Sequence, residues 1–246
     1  MIAVEDLQTR AILLDIEGTT TPVEFVYQTL FPFARRHVRQ FLGAHQHDEG
    51  VHADIARLRT EHAAEVSEAP RPAVWRAATP EEELESAVAY AHWLMERDRK
   101  STGLKALQGK IWEAGYRSGE LLGEVYADVP RAFARWKEQG KTLAIFSSGS
   151  VLAQRLLFAH TNAGDLTGSL SAYFDTTTGA KQEAESYRRI AAALAFQPTE
   201  LLFLSDVAAE LDAARLAGLR TALCVRSAAA PPPSVHPVIR TFDELP

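Results

Sequence analysis

Residues 11–20 read AILLDIEGTT, four apolar residues from Ala11 to Leu14 running straight into Asp15, Ile16, Glu17, Gly18, Thr19 and Thr20. A short unbroken apolar run is the pattern of a strand buried on both faces, as parallel sheets require. The strand stops at an acid, and Gly18 permits a sharp turn just beyond it. In open α/β sheets ligands bind beyond the carboxyl ends of the strands, which puts Asp15 and Glu17 where chemistry takes place. An acidic turn after an ordinary strand would read the same from this stretch alone.

Working outward, the same pattern recurs downstream. Thr142 to Phe146 is an apolar run ending in Ser147, Ser148, Gly149 and Ser150, and Leu201 to Leu204 ends in Ser205 and Asp206. Ser171 to Phe174 is a shorter extended piece before Asp175, and Thr221 to Val225 is a last strand. Helical patterns fill the gaps: Val129 to Gln139 stopped by Gly140, Val151 to His160, Glu183 to Leu194, and Val207 to Ala217 closed by Gly218. Strands alternating with helices predict a parallel sheet with right-handed crossovers.

Between Val23 and Tyr126 the chain reads as helices without a convincing strand. Pro32 is expected to divide the first stretch into two helices, sitting in the first turn of the second. Gly43 to Val51, with His45 and His47 and followed by His52, reads as a solvated polar loop; the histidine spacing matches no standard zinc site. Ile55 to Val66 reads as a helix and Ser67 to Ala78 as a proline-containing loop. Thr79, Pro80 and Glu82 carry the signature of an N-cap, a first-turn proline and a capping box. His92 falls on the apolar face of that helix as a packed or rim residue. Leu104 to Gly119 is the next helix. The division is therefore a core from residues 1–22 and 127–246, with a helical insert over 23–126.

The composition sets the limits. The chain has 246 residues, 46% hydrophobic and 24% charged, with net charge −6. That balance gives a nucleic-acid role no electrostatic support. An acidic surface does not exclude an anionic small substrate, because a pocket can reverse the sign locally. The single cysteine, Cys224, precludes an internal disulfide and fits a reducing compartment. The first ten residues show no signal-peptide pattern, and no run approaches the length of a membrane span. The tail after the proline run Pro231 to Pro233, from Val238 to Leu245, carries no readable chemistry.

Three strand ends then line up. The first carries Asp15 and Glu17. The second carries Ser147 and Ser148 at a helix N-terminus, where free N–H groups favour an anion. The third carries Asp206, with Glu210 one helical turn on and of unassigned role. Carboxylates from separate strands suit Mg²⁺, which is held by few protein oxygens plus substrate phosphate. Lys181, after Gly179 and Ala180, would supply a point charge if the loop lies at the phosphate. Each of these residues taken singly is equally an N-cap, a turn acid or a solvated lysine.

Taken together they resemble the haloacid dehalogenase-like phosphatases. The resemblance implies a Rossmann-like α/β core with an inserted helical cap. It makes Asp15 the nucleophile, Ser147 the hydroxyl of the second motif, Lys181 the lysine of the third and Asp206 the closing acid. Glu17 stands where that pattern has aspartate. The strings LLDIEGTTTP, DRKSTGLKALQGKIW, YADV, SSGSV and SYRRIA further resemble the acireductone synthase family, the enolase-phosphatases of methionine salvage. This implies a monomeric, cytoplasmic enzyme with one Mg²⁺ per chain and no nucleic-acid or membrane partner. Its small-molecule substrate would be 2,3-diketo-5-methylthiopentyl-1-phosphate, enolised and then dephosphorylated to the acireductone through an aspartyl-phosphate. Metal ligation is implied for Asp15, Glu17 and Asp206, substrate binding for Ser147, Ser148 and Lys181, and catalysis for Asp15, Glu17 and Lys181. Glu17 is the candidate enolisation base, the alternative being a backbone metal ligand with the base in the cap. A generic small-metabolite phosphatase of the same fold and a non-catalytic phosphometabolite binder remain as alternatives.

Overall fold

The structure is a computed structural model that describes residues 9–65, 70–227 and 234–246. The first eight residues, Val66, residues 67–69 of the proline-containing loop and the proline run at 231–233 lie outside the described residues. Two compact units emerge: one formed by the chain up to Val26 and from Leu122 onward, the other by Tyr27–Leu121.

The first unit is built on six parallel strands: β1 (Ala11–Leu14), β2 (Thr142–Phe146), β3 (Ala172–Phe174), β4 (Leu201–Ser205), β5 (Arg220–Cys224) and β6 (Val238–Ile239). Their order is β3-β2-β1-β4-β5-β6. β1 lies at the centre because all four of its side chains are apolar and all four are buried. Burying each of its two leucines contributes about 1.5–3 kcal/mol. Leu13, Phe146 and Phe203 form one face of the core with Tyr187 and Ile190 of α8 (Ala184–Ala193) and Leu211 of α9 (Ala208–Leu216). A second apolar cluster joins Phe133 and Trp136 of α6 (Val129–Glu138) to Phe158 of α7 (Val151–Ala159) and to Phe242.

The register brings the chemistry to one level. Leu14 pairs with Ile145 on one side and with Leu204 on the other, so Asp15, Ser147 and Ser205–Asp206 leave the sheet together. Chain order also reverses between β1 and β4, the place where such sheets open a ligand crevice.

The second unit packs four helices, α2 (Phe31–Ala44), α3 (Glu49–Ala63), α4 (Pro80–Glu96) and α5 (Thr102–Ser118), around Phe33, Leu42, Leu58, Leu94, Leu107 and Ile111. Thr79 caps α4 by accepting the Glu82 N–H at 3.2 Å, and the Glu82 carboxylate reaches back to the Ala78 N–H at 3.0 Å.

Four sequence expectations need correction. Pro32 does fall in the first turn of α2, but what precedes it is not a full α-helix: it is the short α1 (Val23–Phe25) and a π-helical turn, Val26–Leu30. A proline in the first turn costs no helical hydrogen bond, because the N–H groups there have no partner in the helix. The polar loop is shorter than Gly43 to Val51, because Asp48 caps α3 by accepting from the Gly50 and Val51 N–H groups. His52 therefore lies on that helix, and His45 hydrogen-bonds back to the Phe41 carbonyl at 2.8 Å. Finally, the tail holds an edge strand, β6, paired with β5 through Leu223 and Cys224.

Candidate active site

The Asp15 backbone continues the β1 ladder, its N–H donating to the Leu204 carbonyl at 3.0 Å. Its side chain is 2% exposed. Oδ1 accepts from the Ile16 N–H at 2.8 Å and from Lys181 Nζ at 2.6 Å. Oδ2 lies 3.2 Å from the Ser205 hydroxyl. The chain then folds back on itself, with the Thr19, Thr20 and Thr21 N–H groups all converging on the Ile16 carbonyl at 3.1, 3.0 and 2.9 Å. Gly18 makes this turn possible at φ +70°, and a Cβ there would stand 2.2 Å from Asp206 Oδ2. A side chain at this position would expel Asp206 from its place beside the turn.

Lys181 arrives from the loop before α8. Gly179, at φ +144°, lets that loop press on Ser186, and the Tyr187 hydroxyl donates to the Lys181 carbonyl at 2.6 Å. The ammonium spans two carboxylates, Asp15 at 2.6 Å and Glu210 at 2.7 Å. Burial works against its charge, yet Asp15 and Glu210 together hold its pKa above the ordinary lysine value. The Ser205 hydroxyl also lies 3.1 Å from Glu210 Oε2. One hydroxyl proton cannot serve Asp15 and Glu210 at once, which leaves the two acids competing for it. Burial and then Asp15 push the Glu210 carboxyl up to about 7.

The other acids show the same crowding. Burial first, then the Asp15 charge, raises the Glu17 carboxyl. Asp206 presents an open surface to solvent, but desolvation of its carboxyl and the Asp15 charge lift it to about 6. Four acids thus gather around one lysine. Such an excess of carboxylate oxygen, without His or Cys in the cluster, fits a hard divalent cation. Among the described residues no three His, Cys, Asp or Glu side chains converge as a ready cage, so a cation here would also draw on backbone and substrate oxygens.

Ser147 is buried at the end of β2, its N–H bound to the Phe174 carbonyl at 3.2 Å and its hydroxyl accepting the Gly149 N–H at 3.1 Å. Ser148 is exposed beside it. Ser150 caps α7 through the Ala153 N–H at 3.3 Å. The Gln154 amide donates to the Gly149 and Phe174 carbonyls at 2.8 and 2.9 Å, pinning the loop between β2 and α7.

The structure therefore joins Asp15 and Lys181 directly and sets Asp206 against the Glu17–Gly18 turn. Sequence reading missed Ser205 and left Glu210 without a role. The i,i+4 spacing from Asp206 was the available signal for Glu210; nothing local marks Ser205, which lies 190 residues from Asp15.

The sequence pattern of haloacid dehalogenase-like hydrolases matches residues 9–218. Enolase-phosphatase E1 of Synechococcus elongatus is 52% identical over 95% of this chain and 96% of its own. That of Sorangium cellulosum is 50% identical over 97% and 98%. The crystal structure of the UTR4 protein from Saccharomyces cerevisiae is similar at a TM-score of 0.76 and 33% identity, covering 96% of this chain and 100% of its own.

Proposed function

The chain belongs to the haloacid dehalogenase-like hydrolases and, within them, to the enolase-phosphatases, and from that premise we propose how its residues divide the reaction. It is a phosphatase acting on a small phosphate ester. We assign the substrate as 2,3-diketo-5-methylthiopentyl-1-phosphate and the product as the acireductone 1,2-dihydroxy-3-keto-5-methylthiopentene, a step of methionine salvage. The observation that carries the assignment is the 52% identity to an enolase-phosphatase E1 over 95% of this chain, with Asp15 buried at the end of the central strand and held by Lys181 as its nucleophile.

The substrate carbon bearing the phosphate ester lies next to a carbonyl, so its protons are acidic. Glu17 takes one of them, from its place two residues beyond Asp15 in the turn that follows β1. The resulting enolate takes a proton from solvent on the former carbonyl oxygen and keeps its phosphate. An Asp15 oxygen then bonds to phosphorus as the ester P–O bond breaks, and Glu17 returns a proton to the leaving enol oxygen. Water attacks the aspartyl-phosphate, releasing inorganic phosphate and restoring Asp15. Lys181, with Ser147 and Ser148, binds the phosphoryl oxygens. Asp15, Asp206 and Glu17 would hold one Mg²⁺, which supplies charge neutralisation that lets an anionic carboxylate approach phosphorus. We assign the helical insert the part of the family's cap. The same reading makes the active species a cytoplasmic monomer acting on a free metabolite, without a nucleic-acid or membrane partner. Among the described residues no helix is long and apolar enough to cross a membrane.

The test follows enol absorbance and phosphate release together on the diketo-phosphate, for wild type and Asp15→Asn. Coupled appearance of both in the wild type, with phosphate release at least a hundredfold lower in Asp15→Asn, supports the assignment. Phosphate release without enol would leave a generic small-metabolite phosphatase instead.

A further inference from the structure

The YADV string, Tyr126 to Val129, takes no part in the chemistry above, yet two of its residues meet a buried arginine. Arg226 follows β5 by two residues. Its Nε and Nη2 both donate to the Thr19 carbonyl, at 2.9 and 2.6 Å. Its Nη1 donates to Asp128 Oδ2 at 2.7 Å and to the Arg240 carbonyl at 3.2 Å. Both side chains of the Arg226–Asp128 pair are 7% exposed. The guanidinium carbon lies 4.4 Å from the Tyr126 ring centre and 4.3 Å from that of Phe242. Asp128 Oδ2 also takes the Phe242 N–H at 2.6 Å, and the Tyr126 N–H donates to the Thr20 carbonyl at 3.1 Å.

We infer that Arg226, braced by Asp128, is a positioning residue that sets the turn carrying Glu17 and Gly18. Two consecutive carbonyls of that turn, Thr19 and Thr20, are taken by Arg226 and Tyr126. The Thr20 hydroxyl in turn donates to the Asp15 carbonyl at 3.1 Å. The path from Arg226 to Asp15 is therefore two hydrogen bonds and one peptide unit long. A planar fork with two donors on one oxygen fixes the direction of a peptide plane, which a lysine or a water cannot do. Holding the backbone fold alone would not call for a buried charge, because apolar packing in place of a buried ion pair is commonly as stable. The C-terminal tail contributes as well, since Phe242 closes one side of the arginine's cage. The inference rests on the reading that Asp15, Glu17 and Asp206 carry the reaction.

The test uses the full chain and two readouts. One is Mg²⁺-dependent hydrolysis of p-nitrophenyl phosphate, measured well below the melting temperature. The other is amide hydrogen exchange over residues 15–22, compared with residues 201–205 of the core. In Arg226→Met, kcat should fall tenfold or more with KM within twofold, and exchange should quicken over 15–22 alone. Arg226→Lys should restore only part of kcat, since one ammonium cannot serve Thr19 and Asp128 in the fork's geometry. Should Arg226→Met not fold, the near-isosteric Asp128→Asn is read in its place, with a threefold or greater loss of kcat expected. Wild-type kcat in these variants, or exchange quickened equally over 201–205, would overturn the inference. A wild type without Mg²⁺-dependent turnover of either p-nitrophenyl phosphate or the diketo-phosphate would instead overturn the functional reading, while exchange still decides whether Arg226 holds the turn.

Discussion

Replacing Lys181 by Met removes a cation that touches both Asp15 and Glu210, at 2.6 and 2.7 Å. Breaking a buried pair by removing one partner costs about 3–5 kcal/mol, because the remaining charge is left uncompensated. Here the cost depends on pH. Glu210 is raised to about 7 from 4.5, so the folded protein holds more protons than the unfolded chain across that window. Its contribution to stability is present at low pH and shrinks as pH rises toward 7. In the variant the folded value climbs further, so the shrinkage continues past neutrality. At pH 8 the wild type holds both carboxylates charged around Lys181, while the variant must either leave two anions facing each other or keep Glu210 protonated against the solvent, so the loss should approach about 3–5 kcal/mol. At pH 6 Glu210 is mostly protonated in either protein, and the loss should reduce to the Asp15 contact, about 1.5–3 kcal/mol for a charged hydrogen bond. Urea unfolding of metal-free protein at the two pH values measures the difference. The double variant Lys181→Met, Glu210→Gln should recover stability at pH 8, while kcat for phosphate release stays down by about 10²–10³, the usual cost of losing one electrostatic donor. A loss equal at both pH values, or wild-type turnover in the double variant, refutes the reasoning.

Gly18→Ala places a Cβ 2.2 Å from Asp206 Oδ2 at a φ of +70°; the backbone alone costs about 1–2 kcal/mol, and calorimetry should find Mg²⁺ binding weakened at least tenfold. Metal-free protein should melt at a lower temperature at pH 7.5 than at pH 5.5, because Asp206 at about 6 and Glu210 at about 7 lose protons that the unfolded chain has already lost. A melting temperature that rises over that interval would contradict the acid crowding; chelator should abolish turnover and Mg²⁺ restore it. Glu17→Gln should stop solvent deuterium from entering the substrate methylene beside the phosphate, and exchange at the wild-type rate would rule Glu17 out as the base.

The sheet was legible in the sequence where strands are buried on both faces. β1, β2 and β4 are unbroken apolar runs ended by an acid or a serine, and such runs have few other uses. β6 escaped because Val238 and Ile239 are only two paired residues at an edge, following prolines. The start of α3 escaped because Glu49 to His52 is polar on nearly every side, with Val51 its one buried anchor. The Asp48 cap that fixes it resembles any turn acid. At the site, Asp15 and Asp206 were readable because strand ends announce themselves. The Lys181 contact spans 166 residues, and only its resemblance to a family motif pointed there. Ser205 and Arg226 act through contacts that close in three dimensions, and no local spacing encodes them.

The raised carboxyls at the strand ends have a common origin in how Asp15 is shared. Its Oδ1 faces a cation and a backbone N–H, while Oδ2 meets only a neutral hydroxyl. Lys181 therefore neutralises the side toward Glu210 and leaves the side toward Glu17 and Asp206 in acid excess. The Asp15 charge accordingly helps to raise Glu17, Asp206 and Glu210, second only to burial in each. A phosphate dianion meeting that excess would be repelled, so the acids of β1 and β4 are poorly suited to bind substrate unaided. They suit a divalent cation, whose arrival would draw their carboxyl values down and turn a destabilising cluster into a stabilising one. The fold creates this imbalance by its register, which sets β1 and β4 side by side with their acids level, and among the described residues Lys181 is the lysine that answers them.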